Sequence, residues 1–520
     1  MSLFDPMMTN FHRIGLAGLF MSLQQLGKSG GVEGGTWELS DVGVTLRWED
    51  KPMEYFEKLL SSSFRVSKDG LVDFAAHRSR GMGTAEKTLL QQALFETFLN
   101  HNKQNKVPKG TALAQVSVPM EGKNPVFSYK PLVKSFAHSE AAKDLFTGNG
   151  QTLKESIPIK KWLFPGAVQR HSEVASTCLE EPPERYLCLL FAPMACLYYR
   201  LSLLARDGRR DKRKKAAVVI PHITNLRTYA DAFQRYLVSP MGRLSAAGLA
   251  DAGLSALLCL KAEESMDALG ITGFSVITYG KVPWDKNQTP RTGSIDFEDV
   301  RPETLDRFSL AWKCLGNRTL IQQQKDPAAE EKGKGGTIIA RSVASPVRGL
   351  ISENISSGKP LYQGFAALFN SKELAKRISY EREGLFAMVS EIVWDLSSEE
   401  KFVEAIHQAI RFRFGKLASQ ATERNEVPRF DREFERMRTG LMRAKNAQTL
   451  RAELADFFSR GGINPVLQED WKQVLGIMVQ PDWQKARDLA LLGLASYKGK
   501  GVTELQKELE AETPSAEEEE

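Results

Sequence analysis

The amino-acid sequence predicts an α+β fold: a mixed α/β amino-terminal and central region followed by an all-α carboxy-terminal helical bundle. Three observations predict it. Strand-like runs alternate with helical periods as far as Trp284, long amphipathic patterns without a good strand follow Leu361, and 520 residues with 42% hydrophobic content suffice for several cores. At about 150 residues per domain the chain divides into roughly three. We place the divisions at 1–165, 166–336 and 337–502, with a disordered acidic tail over 503–520.

Thr9 or Asn10 can cap a first helix whose Leu16, Leu19, Leu23 and Leu26 recur at spacings of three and four. The glycine-rich turn "GKSGGVEGG" leads into "WELSDVGVTLRW", which alternates as a strand does. "MEYFEKLLSSS" then reads as a helix, and "FRVSKDGLVDF" as two short strands about a Lys-Asp-Gly turn. From Pro108 to Pro165 the abundance of Gly, Pro and Lys predicts loops. The central region offers "RYLCLLF", "CLYYRLSLL", "AAVVIPHI" and "GFSVITYGKV" as strands, with "LRTYADAFQRYL" and "LADAGLSALLCLKAEESMDAL" as helices packed on them. "QQQKDPAAEEKGKGG" (322–336) reads as an exposed, mobile linker.

The clearest periodicity lies in "RFDREFERMRTGLM". At about 100° per residue Phe430, Phe434, Met437 and Leu441 share one side of a helix, while Arg429, Arg432, Arg436 and Arg443 fall within about 60° of one another on another side. Asp431, Glu433 and Glu435 are interspersed, so the stripe reads either as a nucleic-acid contact or as a set of exposed ion pairs of little energetic value.

The formal net charge is +6, and the tail lowers it with Glu504, Glu508, Glu510, Glu512 and Glu517 to Glu520, so the body is more basic than the total. Such an excess suits a polyanionic partner through counterion release. The five cysteines form no CxxC pair and the seven histidines no HxxxH spacing, so no local metal signature exists and reduced thiols in a cytoplasm are expected. The most apolar run, Tyr186 to Tyr199, is broken by Pro193 and shorter than the roughly 20 residues that span a bilayer. It reads as core, and the protein is expected inside the cell without membrane attachment.

Catalytic motifs are approached and missed. "SLQQLGKS" (22–29) has Ser22 where a phosphate-binding loop needs its first glycine, and follows a helix where that loop must follow a strand. "GKSGG" matches GxSxG by letter, yet stands after a helix and before a strand, the reverse of a nucleophile elbow. "PDWQK" (481–485) falls on a helix, where its acid and lysine cannot flank a metal on adjacent strands. Nothing in the sequence asks for a cofactor, a metal or a catalytic residue.

Binding remains. Lys and Arg neutralise phosphates, and Asn and Gln can read base edges. The densest basic run, "RDGRRDKRKK", precedes the strand "AAVVIPHI", so Arg209, Arg210, Lys212, Arg213, Lys214 and Lys215 read as the tip of a hairpin or strand connection. Three polar loops supply further candidates: Lys103, Gln104, Asn105 and Lys106; Asn149 and Gln151; and Asn287, Gln288 and Arg291.

"DPMMTNFHRIGLAGLFMSLQQL" followed by "WELSDVGVTLRW", and the later "LYQGFAALFNSKELAKRISYEREGLFAMVSEI", resemble the large subunit of the type I CRISPR surveillance complex, Cascade. The likeness is to the subtype I-A/I-B MYXAN branch, whose members also occur in CRISPR-associated transposons. It covers most of the chain as phrasing and domain order, without a short diagnostic motif. The resemblance implies a nonenzymatic subunit that sits with guide RNA and with the Cascade backbone and guide-end subunits. Such a subunit recognises the protospacer-adjacent motif (PAM) in target double-stranded DNA and promotes R-loop formation. It also implies a carboxy-terminal bundle resembling the small subunit, which in several such systems is translated from an internal start; Met388 is the candidate here. Transposition proteins or a recruited helicase-nuclease would be the downstream partner. The PAM-reading residues of the family do not carry over one by one, because those loops vary between subtypes, so the three loops named above rest on residue chemistry. Two other classes stand beside this reading: a metal-dependent nuclease with a diffuse carboxylate site, and a basic scaffold that meets only acidic proteins.

Overall fold

The computed structural model describes residues 1–80, 82–97, 99, 112–117, 126–159, 179–202, 214–238, 245–260, 265–280, 291–298, 300–324 and 337–499. They form two compact units. The first takes in the described residues of Met1–Leu203, Asp211–Arg301 and Asn317–Val343, the second those of Pro302–Gly316 and Ala344–Glu520.

The first unit begins with α1 (Asn10–Lys28), capped by Thr9, whose hydroxyl accepts the His12 N–H while the His12 ring accepts the Thr9 N–H. The segment expected as one strand is a hairpin, β1 (Gly35–Leu39) with β2 (Val44–Trp48), because the Ser-Asp-Val-Gly sequence between them supplies a turn. Next come α2 (Pro52–Ser63), the hairpin β3 (Phe64–Val66) and β4 (Val72–Phe74), a 3-10 turn (Ala75–Arg80) and α3 (Thr84–Phe95). The loop-rich stretch contains β5 (Ala114–Ser117), β6 (Val126–Tyr129), the short α4 (Ala142–Leu145) and β7 (Ile157–Pro158), which pairs with β8 (Glu180–Glu181).

"RYLCLLF", expected as a strand, lies in α5 (Pro183–Ala195). An apolar run has no period to read, and this one lacks β-branched residues and opens on a proline at the first helical position. The helix is buried along nearly its whole length. Two glycines of α1 let it approach: a Cβ at Gly15 would lie 1.9 Å from the Cys188 carbonyl oxygen, and one at Gly18 2.3 Å from that of Phe191.

After α5 come β9 (Leu197–Leu201), β10 (Lys214–Ile223), α6 (Leu226–Leu237), β11 (Ser245–Ala246), α7 (Leu249–Leu260), β12 (Ile271–Gly280) and β13 (Arg291–Phe297). The strands make a five-stranded sheet in the order β11-β9-β10-β12-β13, antiparallel except where β11 runs beside β9. Following α8 (Pro302–Cys314), β14 (Arg318–Gln324) and β15 (Thr337–Val343) form an antiparallel pair that continues through β6 to β5. Gln322 to Gln324, expected as the start of a linker, therefore belong to a strand; residues 325–336 lie outside the described residues.

The second unit is helical from Pro346 to Ser496: α9 (Pro346–Ser356), α10 (Lys372–Ser379), α11 (Arg382–Glu391), α12 (Ser397–Glu423), α13 (Phe430–Arg443), α14 (Ala447–Gly461), α15 (Pro465–Glu469), α16 (Trp471–Val479) and α17 (Trp483–Ser496). The all-helical bundle expected from the amphipathic patterns is present. Long α12 packs against α14, α16 and α17. The segment before α10 is pinned to the bundle by buried carboxylates: Asp488 accepts the N–H groups of Gly364 and Ala366 at 2.6 and 3.0 Å, and Glu399 accepts the Tyr362 hydroxyl at 2.6 Å.

Two histidines in the first unit bond to α5 from inside the core. Nε2 of His77 donates to the Met194 carbonyl at 2.7 Å, and Nδ1 of His138 to that of Leu190 at 2.6 Å. Burial holds both neutral, lowering their pKa values to about 4 and about 3. The unfolded chain protonates its histidines near pH 6.5, so their contribution is complete above that pH and is lost as pH falls towards 4. Urea unfolding should therefore weaken by several kcal/mol across this window. His138→Asn, which keeps a donor near the Nδ1 position but cannot titrate there, should flatten the profile; an unchanged slope would remove His138 as a cause.

Candidate nucleic-acid interface

Helix α13 is shaped by its apolar period. Phe430, Phe434, Met437 and Leu441 are all buried, and this fixes the opposite face outward. Arg429, Arg432, Arg436 and Arg443 are all exposed. Two of the three interspersed acids, Glu433 and Glu435, have their shortest contacts outside the stripe. Glu435 accepts from Arg438, outside the stripe, at 2.6 Å. Glu433 is buried and accepts from Arg413 at 2.9 Å, with Arg460 at 3.8 Å and Arg436 at a marginal 3.9 Å. Among the described residues no carboxylate pairs with Arg429, Arg432 or Arg443, so the stripe is not a row of closed ion pairs.

Between α13 and α14 lies a groove of about 430 Å³ lined by Arg432, Arg436 and Arg443 from the first helix and by Glu453, Asp456 and Arg460 from the second. Asp456 is occupied by Arg460. Arg460 and the organising Glu433 escaped the sequence reading, since Arg460 stands alone ahead of a Gly-Gly pair and Glu433 looked like one more exposed acid. Only the burial of Glu433 distinguishes it.

In the first unit the register brings the backbones of Lys214 and Arg291, which the sequence keeps apart, to one end of a sheet. Lys214, at the start of β10, stands opposite Gly280 at the end of β12, and Gly280 stands opposite Arg291 at the start of β13. The segments bearing Arg209, Arg210, Lys212 and Arg213 and bearing Asn287 and Gln288 thus leave from one end of the five-stranded sheet. β9 and β10 pair antiparallel, so the basic run connects neighbouring strands as expected. Lys214 and Lys215 lie in β10 and Arg291 in β13 by backbone, while Arg209, Arg210, Lys212, Arg213, Asn287, Gln288 and the loop Lys103, Gln104, Asn105 and Lys106 lie outside the described residues.

Asn149 and Gln151 are exposed in a tight turn. The side-chain oxygen of Asn149 accepts from the Thr147 hydroxyl at 2.7 Å and the Gln151 N–H at 3.0 Å, and Gly150 follows at φ +70°. That oxygen is committed to the loop, while the Asn149 amide nitrogen and the Gln151 side chain remain open to solvent.

The glycine-rich stretches after α1 take the places expected of them, whereas PDWQK, expected on a helix, straddles a helix start with only Trp483 to Lys485 inside it. Ser29 caps the end of α1, and Pro481 and Asp482 directly precede α17. Among the described residues no group of three or more His, Cys, Asp or Glu is arranged to hold a metal ion, and no helix is long and apolar enough to cross a membrane.

Replacing Glu433 by Gln should cost about 3 kcal/mol, because Arg413 and Arg460 lose a buried counterion, whereas Glu435→Gln on the exposed side should cost less than about 1 kcal/mol. Urea midpoints of the two variants measure the difference, and equal values would deny Glu433 its organising place.

The DevT N-terminal domain model matches residues 1–190 and the DevT C-terminal domain model matches residues 390–520. The CRISPR-associated protein Cas8a1/Csx13 of Myxococcus xanthus (strain DK1622) is 30% identical over 530 residues, covering 96% of this chain and 88% of the relative. At that identity over nearly the full length of both proteins, the chain belongs to the Cas8a1/Csx13 family of CRISPR-associated proteins, as a Cas8-type large subunit.

Proposed function

We propose that the chain is the nonenzymatic large subunit of a type I Cascade complex of the I-A/I-B MYXAN branch, which recognises a PAM in duplex DNA and promotes R-loop formation. The observation that carries this reading is the arginine stripe of α13, beside which Glu433 is held chiefly by Arg413 and Glu435 by Arg438. Guanidinium groups left open towards solvent are suited to phosphates, which take paired N–H donors. The stripe would hold one strand by charge, while guide pairing supplies sequence.

PAM contacts are assigned to the loops leaving the Lys214, Gly280 and Arg291 end of the sheet. Support comes from the sequence of the two segments that leave there: one carries a dense cation run that fits the phosphate backbone, the other Asn287, Gln288 and Arg291, which fit base edges. The loops of Lys103 to Lys106 and of Asn149 and Gln151 are the other candidates. Downstream, the complex would hand the opened DNA either to transposition proteins or to a recruited helicase-nuclease.

In the assembled complex, Arg432→Gln, Arg436→Gln and Arg443→Gln should each lower the slope of log affinity against log salt by about 1 and weaken all target DNAs alike. Replacement of a base reader, by Gln288→Ala or Arg291→Ala, should instead cost about 1–3 kcal/mol on the preferred PAM and relax preference across a PAM library. Unchanged salt slopes would remove the stripe from the interface. Unchanged library profiles for all three loops would place PAM reading elsewhere.

We further infer that a small subunit is translated from Met388 to Glu520. Support comes from the match of the DevT C-terminal domain model, which begins at residue 390, beside Met388 in α11. Intact-mass analysis of the purified complex should then show a second polypeptide beginning at Met388. A complex with no such species at any stoichiometry would end the idea.

A further inference from the structure

A cavity of about 330 Å³ lies among α10, α11, α13 and the end of α17, on the side of α13 away from its groove with α14. Phe369, Ile378, Phe434 and Ala495 give it an apolar wall. Lys372, Lys376, Arg382 and Arg438 bring cations to the same space, against the carboxylates of Asp431 and Glu435.

The cations are not equivalent. Arg438 is satisfied: it donates to Glu435 at 2.6 Å and to the Phe369 carbonyl at 3.4 Å. Arg382 is only 4% exposed, yet it makes no hydrogen bond or ion pair with any described residue, and its Nε is buried without an acceptor. Among the described residues its one partner is the ring of Phe434, whose centroid lies 4.6 Å from the guanidinium carbon. Lys372 and Lys376 pair with no carboxylate among the described residues either.

Burying a guanidinium without a counterion costs more than one ring contact returns. Desolvation lowers the pKa of Arg382 to about 10, and the side chain is still a cation at neutral pH. A cation held this way, at the wall of a cavity of small-molecule size, is arranged for an anion that arrives from outside.

We propose that this cavity receives one nucleotide of a strand bound along α13, with the phosphate on Arg382 and Lys376 and the base against Phe369, Ile378 and Phe434. The proposal rests on the nucleic-acid reading above and adds a ligand pocket to it. Three features favour a nucleotide over an acidic peptide. Aromatic rings and guanidinium planes are surfaces on which bases stack. Phosphate has enough acceptor oxygens for several cations at once. Glu435 lines both this cavity and the arginine groove, so a strand on the stripe passes the cavity mouth.

The test uses the full-length chain, with adenosine 5′-monophosphate, inorganic phosphate, a glutamate-rich peptide and a single-stranded oligonucleotide as probes. The mononucleotide should raise the melting temperature more than phosphate at equal concentration. Arg382→Met should raise the melting temperature of the unliganded protein, because an unpaired buried charge is removed, and should weaken mononucleotide and oligonucleotide binding by about 10-fold or more. Lys376→Ala, at the half-buried rim, should weaken both without changing unliganded stability.

A lower melting temperature for Arg382→Met together with intact binding would make Arg382 a structural residue and overturn the proposal. So would stabilisation by the peptide but not by the mononucleotide. Mononucleotide loss without oligonucleotide loss would overturn the claim that the ligand belongs to a strand. The two readings separate cleanly: if replacing Arg432, Arg436 and Arg443 leaves oligonucleotide binding and its salt slope unchanged while Arg382→Met still abolishes mononucleotide binding, the stripe fails and the pocket stands.

Discussion

The carboxyl end of α5 is the constraint on which the first unit is built. The last four carbonyls of a helix have no N–H within it. Here each finds a donor: Ala192 from the Cys196 N–H, Pro193 from the Tyr198 hydroxyl, Met194 from His77 and Ala195 from the Tyr229 hydroxyl. The donors come from the start of β9, the turn after β4 and α6. One helix end therefore fixes three separated segments, and a buried acceptor left open would cost about 1–3 kcal/mol. Since β9 begins only two residues after α5, this arrangement also sets where β9 meets β10. That placement in turn sets the sheet end from which the Lys214 and Arg291 segments leave.

Much of this was legible in the sequence where a period or a turn residue carried information. The apolar face of α13, the helix α6 and the hairpin around Lys68 to Gly70 all follow from spacing and turn chemistry. Helix α5 was not legible, since uniform burial erases the polar positions that reveal a period. The partnership of β6 with β15 was hidden for a different reason. It joins Val126 to Ile339, and nothing local in either strand names so distant a neighbour.

The charge pattern was half legible. Spacing alone places four arginines on one face of α13, but it gives equal weight to Asp431, Glu433 and Glu435 as their neutralisers. Tertiary packing decides between the readings. Glu433 turns inward because Arg413 on α12 and Arg460 on α14 meet it there, and Glu435 is taken by Arg438. The same packing creates the cavity at Arg382, whose sequence context, "SYEREGL", places Glu381 and Glu383 on either side of it. Neither flanking acid pairs with it in the fold: Ser345 donates to Glu381 and Lys498 binds Glu383.

Residues 361–387 give the bundle properties that a polypeptide beginning at Met388 would lack. Gly364 and Ala366 supply the donors of Asp488, and Tyr362 supplies that of Glu399. Burial already raises the pKa of both carboxyls, and without these donors each would be pushed further towards protonation or would need a donor from a neighbouring subunit. The same truncation removes Phe369, Lys372, Lys376 and Arg382 while keeping the arginines of α13. A long and a short chain would thus share the arginine stripe but not the cavity beside it. Repeated copies of the bundle could extend a strand-binding track by charge alone, and the full-length subunit would be the one point on that track able to hold a base.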